Sequence, residues 1–195
     1  MRNKLSPSTD MSPFRQGDLD GLCGIYVIIN CVRLLCPEEN SKFLGKLFRV
    51  LVQSLEREVD KPLTVLWRGI EQPVLLGLIE CCIAYVRKTF GIKLRVKLPR
   101  KPLRKAKSVA KIWRGVGKSV SKERVAILSI EGFISHWTAV CAVTPKTMRL
   151  FDSSGQRVLR SSCCSVARKG KRYHLDPKGI VFFERASRER NQSSV

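Results

Sequence analysis

The sequence predicts an α+β fold, with an N-terminal helical lobe packed on a C-terminal antiparallel sheet lobe and the functional site in the cleft between them. Three observations lead there. Long apolar or amphipathic stretches at helical spacing fill the first half of the chain. Short runs of β-branched and aromatic residues, broken by Gly, Pro and Ser, fill the second. Helices first and strands second favours segregated layers over a βαβ alternation.

The elements follow in order. Leu22 to Leu35 (LCGIYVIINCVRLL) is almost wholly apolar, follows the turn-like GDLDG with Asp20 available as a cap, and stops before Pro37. Ser41 to Glu58 is amphipathic, with Phe43, Leu47, Val50, Leu51 and Leu55 on one face. Val74 to Thr89 is a third helix, closed by Gly91. Strands are expected over Arg124 to Ile130, His136 to Val143, Thr147 to Asp152 and Gly179 to Glu184. Between helices and strands lies a basic stretch in which Pro99 and Pro102 mark a looped start and Leu103 to Val116 reads as a short basic helix. The expected organisation is one domain: a flexible N-terminus (1–13), a helical lobe (14–92), a basic insertion (93–122), a β lobe (123–184) and a polar tail (185–195).

With 195 residues and 44% hydrophobic content the chain is long and apolar enough to bury a core, which excludes a disordered or low-complexity protein. No apolar run reaches the roughly 18–20 residues that a membrane span needs. The best candidate, Pro73 to Val86, is 14 residues long and contains Glu80. The start, MRNKLSPSTDMSPF, has no apolar core of a secretory signal, so the expected location is the cytoplasm. Eight cysteines without an export signal argue against a disulfide framework. Without a CxxC, and with His136 and His174 far apart, no metal or other cofactor is expected. Most of the cysteines read as small buried hydrophobes.

Charge is uneven. Residues 1–92 carry 12 Lys+Arg against 10 Asp+Glu, whereas 93–195 carry 25 against 6. The densest part, 93–122, holds 12 basic residues and no acid. Lys101, Arg104, Lys105, Lys107, Lys111 and Arg114 form an electrostatic footprint for an acidic protein or nucleic acid. Trp113 stands alone there, so base stacking has little support. Arg114 to Ser119 (RGVGKS) ends like a phosphate loop, but Ile112 stands where the first glycine belongs, and no apolar strand precedes it.

Two segments carry chemistry. In RQGDLDGLCGIY, Cys23 opens a buried helix just after a turn, where unpaired amides and the helix dipole favour the nucleophilic thiolate. Gly24 is expected to leave space beside the sulfur, and Gln16 and the Cys23 amide to donate to an oxyanion. In SHWTAV and FDSSG, His136 begins one apolar strand and Asp152 ends the next, so a hairpin sets them side by side and leaves one imidazole nitrogen for Cys23. Taken singly, Cys23 reads as a core residue, His136 as a strand edge and Asp152 as a turn former. His174 reads as a surface residue and Trp137 as packing.

The order Gln16, Cys23, His136, Asp152 on a helical-then-β chain resembles the papain-like cysteine peptidases, and among them the compact bacterial type related to the bacteriocin-processing peptidases. The resemblance spans about residues 14–183 and is carried by D-x-x-CG at Cys23, HW at His136 and FDSSG at Asp152. It implies a papain-like fold and a hydrolase that cleaves a peptide or isopeptide bond in a specific protein partner. Cys23 is then the nucleophile, His136 the base, Asp152 its orienting carboxylate and Gln16 the oxyanion donor. The basic insertion is not part of that pattern and lies where it would rim the cleft. The alternative is a catalytically idle papain-like module that binds nucleic acid or an acidic partner through 93–122.

Overall fold

The computed structural model describes residues 11–17, 20–167 and 170–186. Most of the N-terminal segment and nearly all of the polar tail expected from the sequence lie outside them, as does Asp18.

Four helices form the first layer: α1 (Cys23–Leu35), α2 (Ser41–Glu58), α3 (Val65–Arg68) and α4 (Gln72–Phe90). Helix α1 is buried on nearly every side, as its almost wholly apolar sequence demands. Its one fully buried polar side chain, Asn30, is satisfied by the incoming chain: Oδ1 accepts from Phe14 N at 2.8 Å and Nδ2 donates to Phe14 O at 3.1 Å. Asn40 caps α2 by accepting from Phe43 N at 2.9 Å. Gly91, at φ 67°, ends α4 in the left-handed conformation that glycine adopts without strain. Among the described residues, no single helix is long and apolar enough to cross a membrane.

The sheet follows: β1 (Leu94–Lys97), β2 (Arg124–Gly132), β3 (His136–Val143), β4 (Thr147–Phe151), β5 (Val158–Arg160), β6 (Cys164–Ser165), β7 (Tyr173–Leu175) and β8 (Val181–Arg185). Its main path runs β1-β8-β2-β3-β4-β5, antiparallel throughout, while β7 continues along the end of β2 beyond β8. Buried Glu184 ties three of these strands, accepting from Lys97 at 2.6 Å and from Arg124 Nε at 2.5 Å.

Both faces of the sheet are covered. Val125 and Ile127 of β2, Ala139 and Cys141 of β3, and Val181 and Phe183 of β8 join the core under α1, α2 and α4. The alternate residues, among them Ala126, Leu128, Val140, Leu150 and Phe182, join a second core on the far side. That core is closed by two further helices, α5 (Lys101–Arg104) and α6 (Val109–Ser119), through Ile112, Trp113 and Val116.

The segment 93–122 contributes the edge strand β1 and then the helix that covers the second face, so the α+β fold has helices on both sides of the sheet. The physical reason is the unbroken apolar run of β2, whose two faces both need burial. The glycines of RGVGKS lie inside α6, so no phosphate loop forms there.

Candidate active site

Cys23 is the first residue of α1, where the earliest amides of a helix have no intrahelical acceptor. Asp20 does not cap the helix. Instead it organises the turn before it, accepting from Gly17 N at 2.9 Å and from Leu22 N at 3.0 Å. The turn is also wedged from outside. A side chain on Gly21 would meet Leu66 O at 2.8 Å, and one on Gly24 would meet Ile70 Cβ at 3.0 Å. Ile70 thus packs against the backbone of Gly24 and takes the place of a side chain there.

His136 and Asp152 come from neighbouring strands. The β3/β4 ladder pairs Ala139 with Phe151. Continuing it by one position sets Asp152 opposite Thr138, two residues from His136, a diagonal that long side chains span. Asp152 Oδ2 lies 2.8 Å from His136 Nε2. The other carboxylate oxygen is held by the turn that follows: Oδ1 accepts from Ser154 Oγ at 2.6 Å, Ser154 N at 2.8 Å and Gln156 N at 3.3 Å. Asp152 is thus both a turn former and the partner of a histidine, one oxygen for each. Ser154 and Gln156 were not singled out from the sequence, although Asp followed by Ser-Ser-Gly is the signature of such a turn.

With Nε2 taken, the second ring nitrogen is left open, and Cys23 is near enough to act on the charge of this imidazole. The three residues are nearly inaccessible, at 5% (Cys23), 8% (His136) and 2% (Asp152). Burial pulls the His136 pKa down, but the hydrogen bonds and charges of Asp152 and Cys23 outweigh it and push it up to about 9. Burial raises Asp152, and the hydrogen bond and charge of His136 overcome this, so its pKa falls below the ordinary carboxylate value. The pair is therefore held as imidazolium and carboxylate.

Cys23 and His136 line a cleft of about 510 Å³ between the two layers. One wall is the segment Trp67 to Gln72, and the other comes from Ser129, Glu131, Ser135, Asp176 and Gly179. Gly69, at φ 77°, turns the first wall. Buried Trp137 joins the walls by donating from Nε1 to Ile70 O at 2.6 Å. The lining includes Asp20, Glu71, Glu131 and Asp176 against Arg68 and the His136 imidazolium, so the cleft is acidic although the whole protein carries +21.

Gln16 also lines the cleft. Its backbone N donates to Ser153 O at 3.1 Å, and its side-chain Nε2 donates to Asp20 O. His174 is half-buried on β7, with Nε2 2.7 Å from Val166 O and Nδ1 3.4 Å from Glu131 Oε2, and it is not the plain surface residue expected. All eight cysteines are free. Burial raises the thiol pKa of Cys31, Cys82 and Cys141, and takes Cys36 and Cys164 to about 12.

The basic residues are elsewhere. None of 93–122 lines the cleft. Lys101, Lys105, Lys111 and Arg114 surround a separate depression on the helices of the second face. Arg104 and Lys107 are exposed on the same segment without lining it. The expected rim of the cleft is thus corrected: α6 must turn its apolar face to the sheet, which carries its cations to the opposite side of the molecule.

No protein-family model matches this chain, and a comparison with curated proteins finds no match either.

Proposed function

We propose that this chain is a papain-like cysteine peptidase that cleaves a peptide or isopeptide bond in a specific protein partner. What carries the proposal is His136, a buried imidazole with the Asp152 carboxylate on Nε2 and its pKa pushed up to about 9 by Asp152 and Cys23, on the wall of a cleft that Cys23 also lines. The order Gln16, Cys23, His136, Asp152 and the compact helical-then-β chain support the same family and the bacterial type named above.

In this reading Cys23 attacks the carbonyl carbon as the thiolate, and the carbonyl oxygen becomes an oxyanion. The Cys23 amide and the Gln16 side chain donate to that oxyanion, once Gln16 exchanges its bond to the Asp20 carbonyl for the substrate. His136 gives its proton to the leaving amine, and a thioester to Cys23 remains. His136 then takes a proton from water, which attacks the thioester and frees the acid and the thiol. Asp152 remains ionised and holds the ring in one orientation.

The test is site-resolved alkylation with iodoacetamide, read by peptide mass spectrometry on wild type and His136→Ala. Selective modification of Cys23 that collapses in His136→Ala is expected. The high thiol pKa values of five other cysteines keep them quiet, and a Cys81→Ser/Cys163→Ser background removes the half-buried pair. Slow, uniform modification of every cysteine present, or a Cys23 rate indifferent to His136, overturns the proposal.

A further inference from the structure

The helices of the second face leave an apolar groove open to solvent. Leu103 of α5 rests against α6 at Gly115, where a side chain on residue 115 would come within 2.7 Å of it. On either side of this contact lies a depression, one of about 610 Å³ and one of about 580 Å³. The two meet at Pro102, Leu103, Gly115 and Lys118. Their floor is apolar: Pro102, Leu103, the bare backbone of Gly115 and, in the second, Phe182 and the half-exposed Leu98.

The rim is cationic. Lys101, Lys105, Lys111, Arg114 and Lys118 surround the first depression, and Lys97, Arg100 and Arg124 reach the second. Lys97 and Arg124 are paired with Glu184. Among the described residues, Lys101, Lys105, Lys111 and Arg114 have no ion-pair partner. These cations are four of the 12 basic residues over 93–122, a stretch that holds no acid. Mutual repulsion at this density weakens the fold, and an anionic occupant relieves it.

We propose that this groove docks an acidic segment of another protein, one in which carboxylates alternate with large apolar side chains. Charge complementarity selects the carboxylates. The concave apolar floor selects the side chains between them, since it strips water from an aliphatic or aromatic anchor and offers little to a phosphate chain. Nucleic acid is disfavoured on the same ground, and the one aromatic ring of the segment, Trp113, is buried at 5% exposure and gives no base a surface to stack on. The groove lies across the sheet from Cys23, so docking leaves the cleft open, and the site stands whether or not the cleft hydrolyses a peptide.

The experiment measures fluorescence anisotropy of the full chain with four probes: a short peptide alternating glutamate and leucine, the same peptide with serine for leucine, a single-stranded oligonucleotide, and phosphatidylserine-containing vesicles. The glutamate–leucine peptide is expected to bind most tightly, and replacing its leucines to weaken binding about tenfold or more, in line with loss of buried apolar anchors. Lys111→Glu with Arg114→Glu is expected to weaken it a further ten- to hundredfold or so, as opposed charges become like ones. Leu98→Ser, at an exposed position that the fold does not need, is expected to weaken it about threefold. Cys23 alkylation serves as the folding control and is expected to be unchanged in all three substitutions. Equal binding of the serine peptide, tighter binding of the oligonucleotide or the vesicles, or no effect of the charge reversal on correctly folded protein overturns the proposal.

Discussion

The two faces of the sheet use charge in opposite ways. Under α1 the charged groups are few, buried and matched: His136 has Asp152, and Asp152 spends its second oxygen on Ser154 and Gln156. Over α6 they are many and exposed, and among the described residues Lys111 and Arg114 have no ion-pair partner. A buried charge without a partner costs far more than the fold can spare, so the first arrangement requires defined geometry. A solvated cation costs little by itself, so the second tolerates variation at any single residue. The comparison teaches where substitution matters, and it follows burial and pairing instead of charge density.

The largest expected effects are at the proposed catalytic site. If the proposed reading holds, Cys23→Ala should abolish acyl transfer, His136→Ala should slow it by about 10³-fold or more, and Asp152→Asn by about 10²-fold or more. On the same reading Gln16→Ala should cost about 10²–10³-fold in turnover while leaving Cys23 alkylation nearly intact, because the proposed role of Gln16 is at the oxyanion and not at the thiol. Stability comes next. Asp152→Ala leaves a buried imidazole and the turn amides of 154 and 156 without their acceptor, and should cost about 3 kcal/mol in chemical denaturation. Trp137→Phe, which removes the bond to Ile70 O, should cost about 1–2 kcal/mol.

The pH dependence sharpens the contrast. The His136 pKa lies above the ordinary 6.5, at about 9, so its contribution to stability is complete below about pH 6.5 and is lost as pH rises through about 9. The gap in denaturation midpoint between wild type and His136→Gln should therefore narrow across that window. A gap that widens there would reverse the assigned protonation. The smallest effect belongs to the other face, where Lys111→Gln or Arg114→Gln should change stability by about 0.5 kcal/mol or less, and towards greater stability as repulsion falls. A large loss at either position would mean that the outer face is as tightly specified as the cleft.

How much of this was legible in the sequence depended on whether the signal was local. Helix α2 was delimited at Ser41 and Glu58 because an amphipathic period and the residues flanking it agree. Strand β3 was delimited at His136 and Val143 for a similar reason, an apolar run between turn residues. Strand β1 was missed because Arg95 and Lys97 hid the alternation of Leu94 and Val96 inside a basic stretch. The role of α6 was missed for a longer-range reason. Its covering function is written in β2, where Val125 to Leu128 is apolar at four successive positions and so calls for a layer on each side. In the candidate site, a hairpin argument sufficed to join His136 to Asp152. The contact between Gly24 and Ile70 links residues 46 positions apart in the sequence with no local pattern to announce it.

That contact bears on engineering. Gly21 lies against the carbonyls of Val65 and Leu66, and Gly24 against the side chain of Ile70, so the cysteine turn and the short helix behind it fit as mould and cast. Neither piece is portable alone. A redesign that moves the D-x-x-CG turn to another scaffold must bring 65–70 with it, and a library that varies either glycine will mostly return proteins whose first helix has been prised away from its seat.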